Sequence, residues 1–137
     1  MELKVSSVEE TLKAGETFAE GLNKDSVVLL YGEMGAGKTH FIKGMARGLN
    51  ITDNITSPTF ALVNEFPGLI HFDLFRIHTA DDLYAIGFYD YIGKGIIAIE
   101  WAENIPELAD DFEKIHTVKI EKIGKNERII SIDYSRT

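Results

Sequence analysis

Cysteine is absent from the 137 residues of this sequence, which excludes disulfide bonds, thiolate catalysis and cysteine-ligated metal centres. Long apolar runs are absent as well. None approaches the roughly 20 residues of a membrane-spanning helix, and residues 1–7 lack the apolar core of a secretory signal. Positive charge is scarce, because 14 Lys and Arg face 22 Asp and Glu for a net charge of −8. Phosphate backbones are gripped by clustered Lys and Arg, so this acidic chain is poorly suited to hold nucleic acid by itself.

The composition is that of an ordinary globular protein. Hydrophobic residues make up 45% and charged residues 26%, which excludes a disordered, collagen-like or coiled-coil chain. The length predicts one domain spanning residues 1–137, with enough chain to bury a core without disulfides. A chain without cysteine, signal or membrane segment is expected in the cytoplasm.

The charge is unevenly distributed along the chain. Residues 1–113 carry 8 basic and 19 acidic side chains, whereas residues 114–137 carry 6 basic and 3 acidic ones. Between Ile77 and Glu113 there are nine acids and one Lys, which suits a basic protein partner. The basic end is interpreted in two ways: as lysines that protect an exposed edge strand, or as a surface that meets a nucleotide or an acidic partner.

The apolar pattern predicts helices mixed with strands. A capping box formed by Ser7 and Glu10 opens a helix over residues 8–22, and the continuous apolar run at 26–31 indicates a strand covered on both faces. Mixed elements of this kind predict an α/β layered domain, with a mixed sheet that has a parallel centre and antiparallel additions including a C-terminal hairpin. Further helices are predicted over 38–49, from Thr79 through Phe88 and over 106–112, and further strands over 59–66, 69–74, 95–100, 117–123 and 128–134.

A phosphate-binding loop lies between the strand at 26–31 and the helix at 38–49. Gly-Glu-Met-Gly-Ala-Gly-Lys-Thr (32–39) matches the pattern G-x-x-x-x-G-K-[ST] in full. In such a loop the glycines let backbone N–H groups approach phosphate, the lysine supplies positive charge and the threonine hydroxyl reaches Mg²⁺. The fold is therefore expected to be a P-loop NTPase-like three-layer domain. The loop residues predicted to contact the nucleotide are Glu33, Met34, Gly35, Ala36, Gly37, Lys38, Thr39 and His40.

Two carboxylates follow apolar strands and are candidates for the metal and for the attacking water. Asp73 ends Leu-Ile-His-Phe-Asp, and Glu100 ends Ile-Ile-Ala-Ile-Glu. Functional groups of open α/β sheets lie at these strand ends, so at least one of the two is expected to serve Mg²⁺. The residues alone do not rank them.

The base is expected to be adenine. The guanine-reading tetrapeptide Asn-Lys-x-Asp is absent, because Asn23-Lys24-Asp25 has the wrong spacing and precedes the phosphate loop. ATP is therefore favoured over GTP.

Taken together, the motifs resemble those of the bacterial TsaE (YjeE) family, the small ATPases of tRNA threonylcarbamoyladenosine biosynthesis. The resemblance covers nearly the whole chain, in order and at family spacing. Beyond the phosphate loop, the matching blocks are Ser-Pro-Thr-Phe-Ala-Leu-Val-Asn-Glu (57–65), His-Phe-Asp-Leu-Phe-Arg (71–76), an Asp-Leu…Ile-Gly-Phe stretch (82–88) and Ile-Glu-Trp-Ala-Glu (99–103).

The resemblance implies roles for individual residues. Thr39 and Glu100 would hold Mg²⁺, and Asp73 would be essential for ATP turnover together with Lys38. Thr11 would lie near the adenine and Arg128 near the nucleotide. Outside these, Ser57-Pro58-Thr59 resembles a switch-like segment near the γ-phosphate, and Trp101 is either a partner or lid contact or an ordinary half-buried aromatic.

The resemblance also implies a biological setting. The chain would bind and hydrolyse ATP beside a TsaB–TsaD heterodimer, whose TsaD subunit transfers the threonylcarbamoyl group to adenosine 37 of tRNA. The chain contains four arginines, and none stands at a recognised finger position, so low ATPase activity is expected without partners.

Departures from the family pattern are small, and two other functions stay open. Phe75 replaces a usual Tyr, His40 a common Thr and Met34 a usual Leu, with no loss of a metal ligand. His71 is interpreted as a packed strand-end residue or as a proton-transfer group. The alternative functions are a small P-loop nucleotide or metabolite kinase, which usually needs more arginines, and a nucleotide sensor that does not hydrolyse.

Overall fold

The structure is a computed structural model that describes residues 1–52 and 62–136. The switch-like segment Ser57-Pro58-Thr59 lies outside the described residues, as does the first part of the strand predicted over 59–66.

One mixed sheet organises the described chain, with seven strands in the order β1-β7-β6-β2-β5-β4-β3. Strands β6, β2, β5 and β4 run parallel at the centre, whereas β7 and β1 on one side and β3 on the other are antiparallel to their neighbours. The α/β fold with a parallel centre and a C-terminal hairpin is thus confirmed. The strands are β1 (Glu2–Val5), β2 (Val27–Tyr31), β3 (Val63–Phe66), β4 (Leu69–Asp73), β5 (Ile96–Glu100), β6 (Lys114–Lys122) and β7 (Arg128–Arg136).

Helices cover both faces of this sheet. The side chains of a strand alternate between faces, so Val28 and Leu30 of β2 join one buried cluster while Val27 and Leu29 join the other. The first cluster is covered by α1 (Val8–Glu20) and α2 (Lys38–Gly48). The second is covered by α3 (Ala80–Ala85) and by the 3₁₀ turns at Phe88–Tyr91, Ala102–Asn104 and Pro106–Asp111.

Glycines allow α1 and α2 to pack with their backbones nearly in contact. A Cβ atom built on Gly44 would lie 2.1 Å from the Leu12 carbonyl oxygen, and one on Gly15 would lie 2.1 Å from the Phe41 carbonyl oxygen. Because α2 begins at the phosphate loop, this contact fixes the loop against the first helix.

Three details differ from the sequence-based expectations. The helix predicted through Phe88 ends at Ala85, because Gly87 adopts a left-handed conformation with φ 79° and a separate 3₁₀ turn follows. The segment predicted as a helix over 106–112 is a 3₁₀ turn, and β1 was not predicted. In the described part of the chain, no helix combines the length and apolar character needed to cross a membrane.

Candidate nucleotide site

The phosphate loop connects β2 to α2 and requires glycine at its turning points. Gly35 and Gly37 have φ angles of 82° and 114°, in the left-handed region that other residues adopt with strain. Gly37 caps α2 and has no side chain, so no cap competes for the first N–H groups of the helix. Free N–H groups and the positive end of a helix dipole, as found at this terminus, attract anions.

Lys38 is the buried cation of this site. Its side chain is only 5% exposed, and its Nζ finds no hydrogen-bond partner among the described residues. The Nζ lies 4.1 Å from the centre of the Trp101 ring, a cation–π contact. A buried, unpaired ammonium is costly, so the site fits an anionic ligand such as phosphate.

Asp73 and Glu100 lie together at the ends of β4 and β5, where the sheet pairs them directly. Burial raises the pKa of the Asp73 carboxyl, and the neighbouring Glu100 adds to this rise. The Phe75 backbone N–H, which donates to Asp73 Oδ1 at 2.9 Å, lowers the same pKa, as do His71 and Lys38 to a smaller extent. The two carboxylates therefore have different environments, with Asp73 half-buried and Glu100 buried.

His71 is a fully buried partner of Glu100. Its Nε2 lies 2.6 Å from Glu100 Oε2, and its other ring nitrogen, Nδ1, has no hydrogen-bond partner in the described part of the chain. The contact joins residues that are 29 positions apart, so only the pairing of β4 with β5 brings them together.

These groups surround a cavity of 480 Å³. The cavity gathers Lys38, Thr39, Asp73 and Glu100, which the sequence assigned to catalysis and to the metal. It also includes Arg76 and Leu62, to which the sequence assigned no role in the site. The remaining lining residues are Met34, Gly35, Gly37, His40, Phe75 and Trp101.

Arg128 reaches the phosphate loop from the hairpin formed by β6 and β7. Its Nε donates to the Ala36 carbonyl oxygen at 2.9 Å, and its Nη1 donates to the carbonyl oxygens of Glu127 at 3.0 Å and Gly124 at 3.2 Å. The guanidinium thus ties the turn of the hairpin to the loop. Its contact with the nucleotide stays a prediction.

Thr11 lies behind the end of the phosphate loop. It is buried in α1, and its hydroxyl donates to the Ser7 carbonyl oxygen at 3.3 Å. Its Cγ2 would lie 3.9 Å from a Cβ atom built on Gly37, so it is close to the loop. Glu33 is exposed in the loop, whereas Ala36 is buried.

Trp101 forms one wall of the cavity in a strained conformation. Its φ of 64° is left-handed, an unusual conformation for an aromatic residue. Its ring contacts Phe75 edge to face, with 5.1 Å between ring centres. Asn104 supports this wall, because its Nδ2 donates to the carbonyl oxygens of Leu74 at 2.8 Å and Phe75 at 3.2 Å. No motif in the sequence indicated this role of Asn104.

No group of three or more His, Asp or Glu side chains within 1–52 and 62–136 could hold a metal ion by itself. Mg²⁺ is commonly held by one or two protein groups together with nucleotide phosphates, so the pair of Thr39 and Glu100 fits that mode.

The strand, glycine loop and helix, set in the parallel centre of this mixed sheet, define a protein of the P-loop fold class. Residues 5–130 match the family model described as "Threonylcarbamoyl adenosine biosynthesis protein TsaE". The chain therefore belongs to the TsaE family, which functions in the biosynthesis of threonylcarbamoyladenosine in tRNA.

Individual relatives and a solved structure agree with this assignment. The chain is 38% identical to the tRNA threonylcarbamoyladenosine biosynthesis protein TsaE of Synechocystis, over 79% of this chain and 74% of the relative. It is 34% identical to the protein of the same name from Treponema pallidum, over 88% of this chain and 93% of the relative. The crystal structure of YdiB from Bacillus subtilis superimposes with a TM-score of 0.78 at 28% identity, covering 100% of this chain and 86% of that one.

Proposed function

We propose that residues 1–137 form one P-loop ATPase domain that binds ATP with Mg²⁺ and hydrolyses it beside a TsaB–TsaD-like heterodimer in the cytoplasm. Hydrolysis would support threonylcarbamoyl transfer to adenosine 37 of tRNA. One observation carries the proposal: a buried lysine without a hydrogen-bond partner in the described chain lies in a phosphate loop, across a cavity from two carboxylates. Membership of the TsaE family supports the pathway.

The loop and Lys38 would bind the phosphates. Backbone N–H groups at the start of α2 donate to phosphate oxygens. The Lys38 ammonium, which contacts the Trp101 ring and has no hydrogen-bond partner among the described residues, would bind a phosphate oxygen more strongly than it binds the ring. Arg128 holds the loop in place from behind through the Ala36 carbonyl.

Thr39 and Glu100 would hold Mg²⁺. When bound, the ion offsets the negative charge of the phosphate oxygens. Glu100 is suited to this role because it is buried and ends a strand beside the loop, with its Oε2 in contact with His71.

Asp73 would orient the attacking water and accept its proton. In this step the water oxygen bonds to the γ-phosphorus, the bond from that phosphorus to the bridging oxygen of ADP breaks, and ADP and phosphate leave. A raised pKa makes the Asp73 carboxylate a better base than an exposed aspartate. The hydrogen bond from the Phe75 N–H to Oδ1 holds the carboxylate in its orientation.

A partner would complete the site. The transition state of phosphoryl transfer is stabilised by cations, yet Arg128 is committed to backbone carbonyls and Arg76 is exposed at the rim of the cavity. Met34, 73% exposed, and Phe75 offer apolar contacts at the same rim. These features support low turnover by the isolated chain and activation by a docked heterodimer.

The test is ATP hydrolysis by the chain with and without purified TsaB and TsaD. We expect turnover to rise with the partners and to be abolished by Lys38→Ala and by Glu100→Ala. Lys94→Ala, which removes an exposed lysine away from the cavity, serves as the control and should behave as wild type. A normal rate for Glu100→Ala together with an inactive Asp73→Ala would assign the metal to Asp73 instead.

The same experiment separates the alternative functions. Transfer of the γ-phosphate to a nucleoside or nucleoside monophosphate would identify a kinase. ATP binding without single-turnover hydrolysis, even with both partners present, would identify a sensor. A pull-down with TsaB and TsaD, with and without ATP, tests the partnership directly.

A further inference from the structure

His71 contacts Glu100, the carboxylate that the proposed function assigns to Mg²⁺. We infer that His71 is a positioning residue, which donates a hydrogen bond from Nε2 to Glu100 Oε2 and so keeps the other carboxylate oxygen available to the metal. This inference rests on the proposed function and adds a residue to it.

The sheet places both side chains on the same face as the phosphate loop. His71 is paired with Ala98 and Asp73 with Glu100, so His71 lies diagonally behind Glu100 across the neighbouring strands. Ala98 belongs to the buried cluster under α1 and α2, and α2 is the helix that follows the loop. Because alternate residues share a face, Glu100 points to this side with Ala98.

Burial makes the contact specific. His71 is 0% exposed and Glu100 is 4% exposed, so water does not compete for the 2.6 Å interaction. A buried carboxylate without a hydrogen bond is strongly destabilised, and a short, charge-assisted bond restricts its rotation. An apolar residue at position 71 would fill the same space in the core but could not direct the carboxylate.

The location of the proton follows from the proposed role of Glu100. A carboxyl group binds a metal when it is ionised, so the proton in this contact must belong to the imidazole. The Nε2 atom of His71 then carries the hydrogen and donates it to Glu100 Oε2.

Three substitutions separate hydrogen bonding from packing. His71→Gln places an amide N–H donor at the same number of bonds from Cβ as the histidine Nε2. His71→Asn places its donor one bond closer, where histidine has Nδ1. His71→Leu has no donor. The measurement is the affinity for Mn²⁺ at saturating ADP, by electron paramagnetic resonance, together with ADP affinity in EDTA. His116→Leu is the control, because His116 lies near the opposite end of the sheet, beside Tyr134.

We expect His71→Leu and His71→Asn to weaken Mn²⁺ binding by about 10–100-fold, the usual effect of removing a hydrogen-bond partner from a metal ligand. ADP affinity in EDTA should be unchanged, and His71→Gln should restore most of the Mn²⁺ affinity. Unchanged Mn²⁺ affinity in His71→Leu, or equal weakening in all three variants, would overturn the positioning role. A wild-type chain whose ADP affinity is the same with Mg²⁺ and with EDTA would instead contradict the proposed metal site, and the positioning role with it.

A second measurement needs no substitution and decides the question if the variants fail to fold. Nitrogen NMR of the wild-type protein with ADP and Mg²⁺ should find hydrogen on Nε2 of His71. Hydrogen on Nδ1 alone would make Glu100 the donor, as a neutral acid, and would overturn the inference.

Discussion

Asp73 and Glu100 are paired partners at the ends of two neighbouring parallel strands, within one partly desolvated cavity. Two carboxylates in this arrangement repel each other, and burial adds to the cost of ionising Asp73. We therefore expect Asp73→Asn to raise the melting temperature at neutral pH, measured in EDTA. The amide oxygen can still accept the Phe75 N–H. ATP turnover with the partners should fall by about 10²–10⁴-fold, the usual contribution of a general base.

The pH dependence of the stability difference between Asp73→Asn and wild type tests whether the Asp73 charge causes it. The pKa of Asp73 is raised above 3.8 in the folded protein, so the folded state holds this proton to higher pH than the unfolded state does. The contribution of Asp73 to wild-type stability is therefore fully present below pH 3.8, and it is lost as pH rises through the folded pKa. The advantage of Asp73→Asn should accordingly disappear in acid. An advantage that is the same at all pH values would exclude the charge as its source.

The close approach of α1 and α2 predicts a sharp response to one methyl group. Gly44→Ala should destabilise the protein by about 1–3 kcal/mol or more, although alanine favours helices, because its Cβ would lie 2.1 Å from the Leu12 carbonyl oxygen. Gly21→Ala is the control, because a Cβ atom built there would lie 3.7 Å from the Phe18 carbonyl oxygen, an ordinary van der Waals contact. Urea unfolding of both variants measures the difference, and equal stabilities would mean that the helices can move apart freely.

The guanidinium of Arg128 should be hard to replace even by another cation. Arg128→Lys keeps the charge but cannot reach the carbonyl oxygens of Ala36, Gly124 and Glu127 at once. We expect the free energy of unfolding to fall by about 1.5–3 kcal/mol, since hydrogen bonds from charged donors contribute on this scale. Thermal unfolding tests this, with Lys125→Ala in the same turn as the control. ADP affinity should fall as well, because the loop loses its support.

The fluorescence emission of Trp101 should depend on the position of the Lys38 ammonium. Trp101 is the single tryptophan of the chain, and the Lys38 ammonium lies 4.1 Å from its ring centre. Lys38→Met should therefore change the emission spectrum without nucleotide, whereas Lys94→Met should not. In the wild type, ADP should shift the spectrum towards that of Lys38→Met, as the ammonium turns to phosphate. Identical spectra for wild type and Lys38→Met would rule out the contact.

The phosphate loop was predictable because its determinants are contiguous. Glycines, lysine and threonine occupy fixed positions within residues 32–39, and the apolar runs of β2 and β5 mark strands covered on both faces. The same local logic failed at Glu2–Val5. This four-residue strand is defined by its pairing with β7 and not by its own pattern.

The supporting contacts of the site could not be predicted, because they depend on the order of strands. Arg128 and Ala36 are 92 positions apart, and His71 and Glu100 are 29 positions apart. Each pair meets only because β6 lies beside β2, or β4 beside β5. Neither segment of such a pair contains a local sequence feature that indicates the contact. For the same reason, both strand-end carboxylates were recognisable in the sequence, but their separate roles were not.

The position of β2 between β5 and β6 has a consequence for synthesis on the ribosome. The strand that leads into the phosphate loop ends at Tyr31, but its neighbour β6 begins only at Lys114 and the bracing Arg128 is translated later still. A domain folds as a unit, and pairings between distant segments close slowly. The nascent chain would thus carry its nucleotide loop for most of translation without the contacts that fix it, and would gain them only when the terminal hairpin docks.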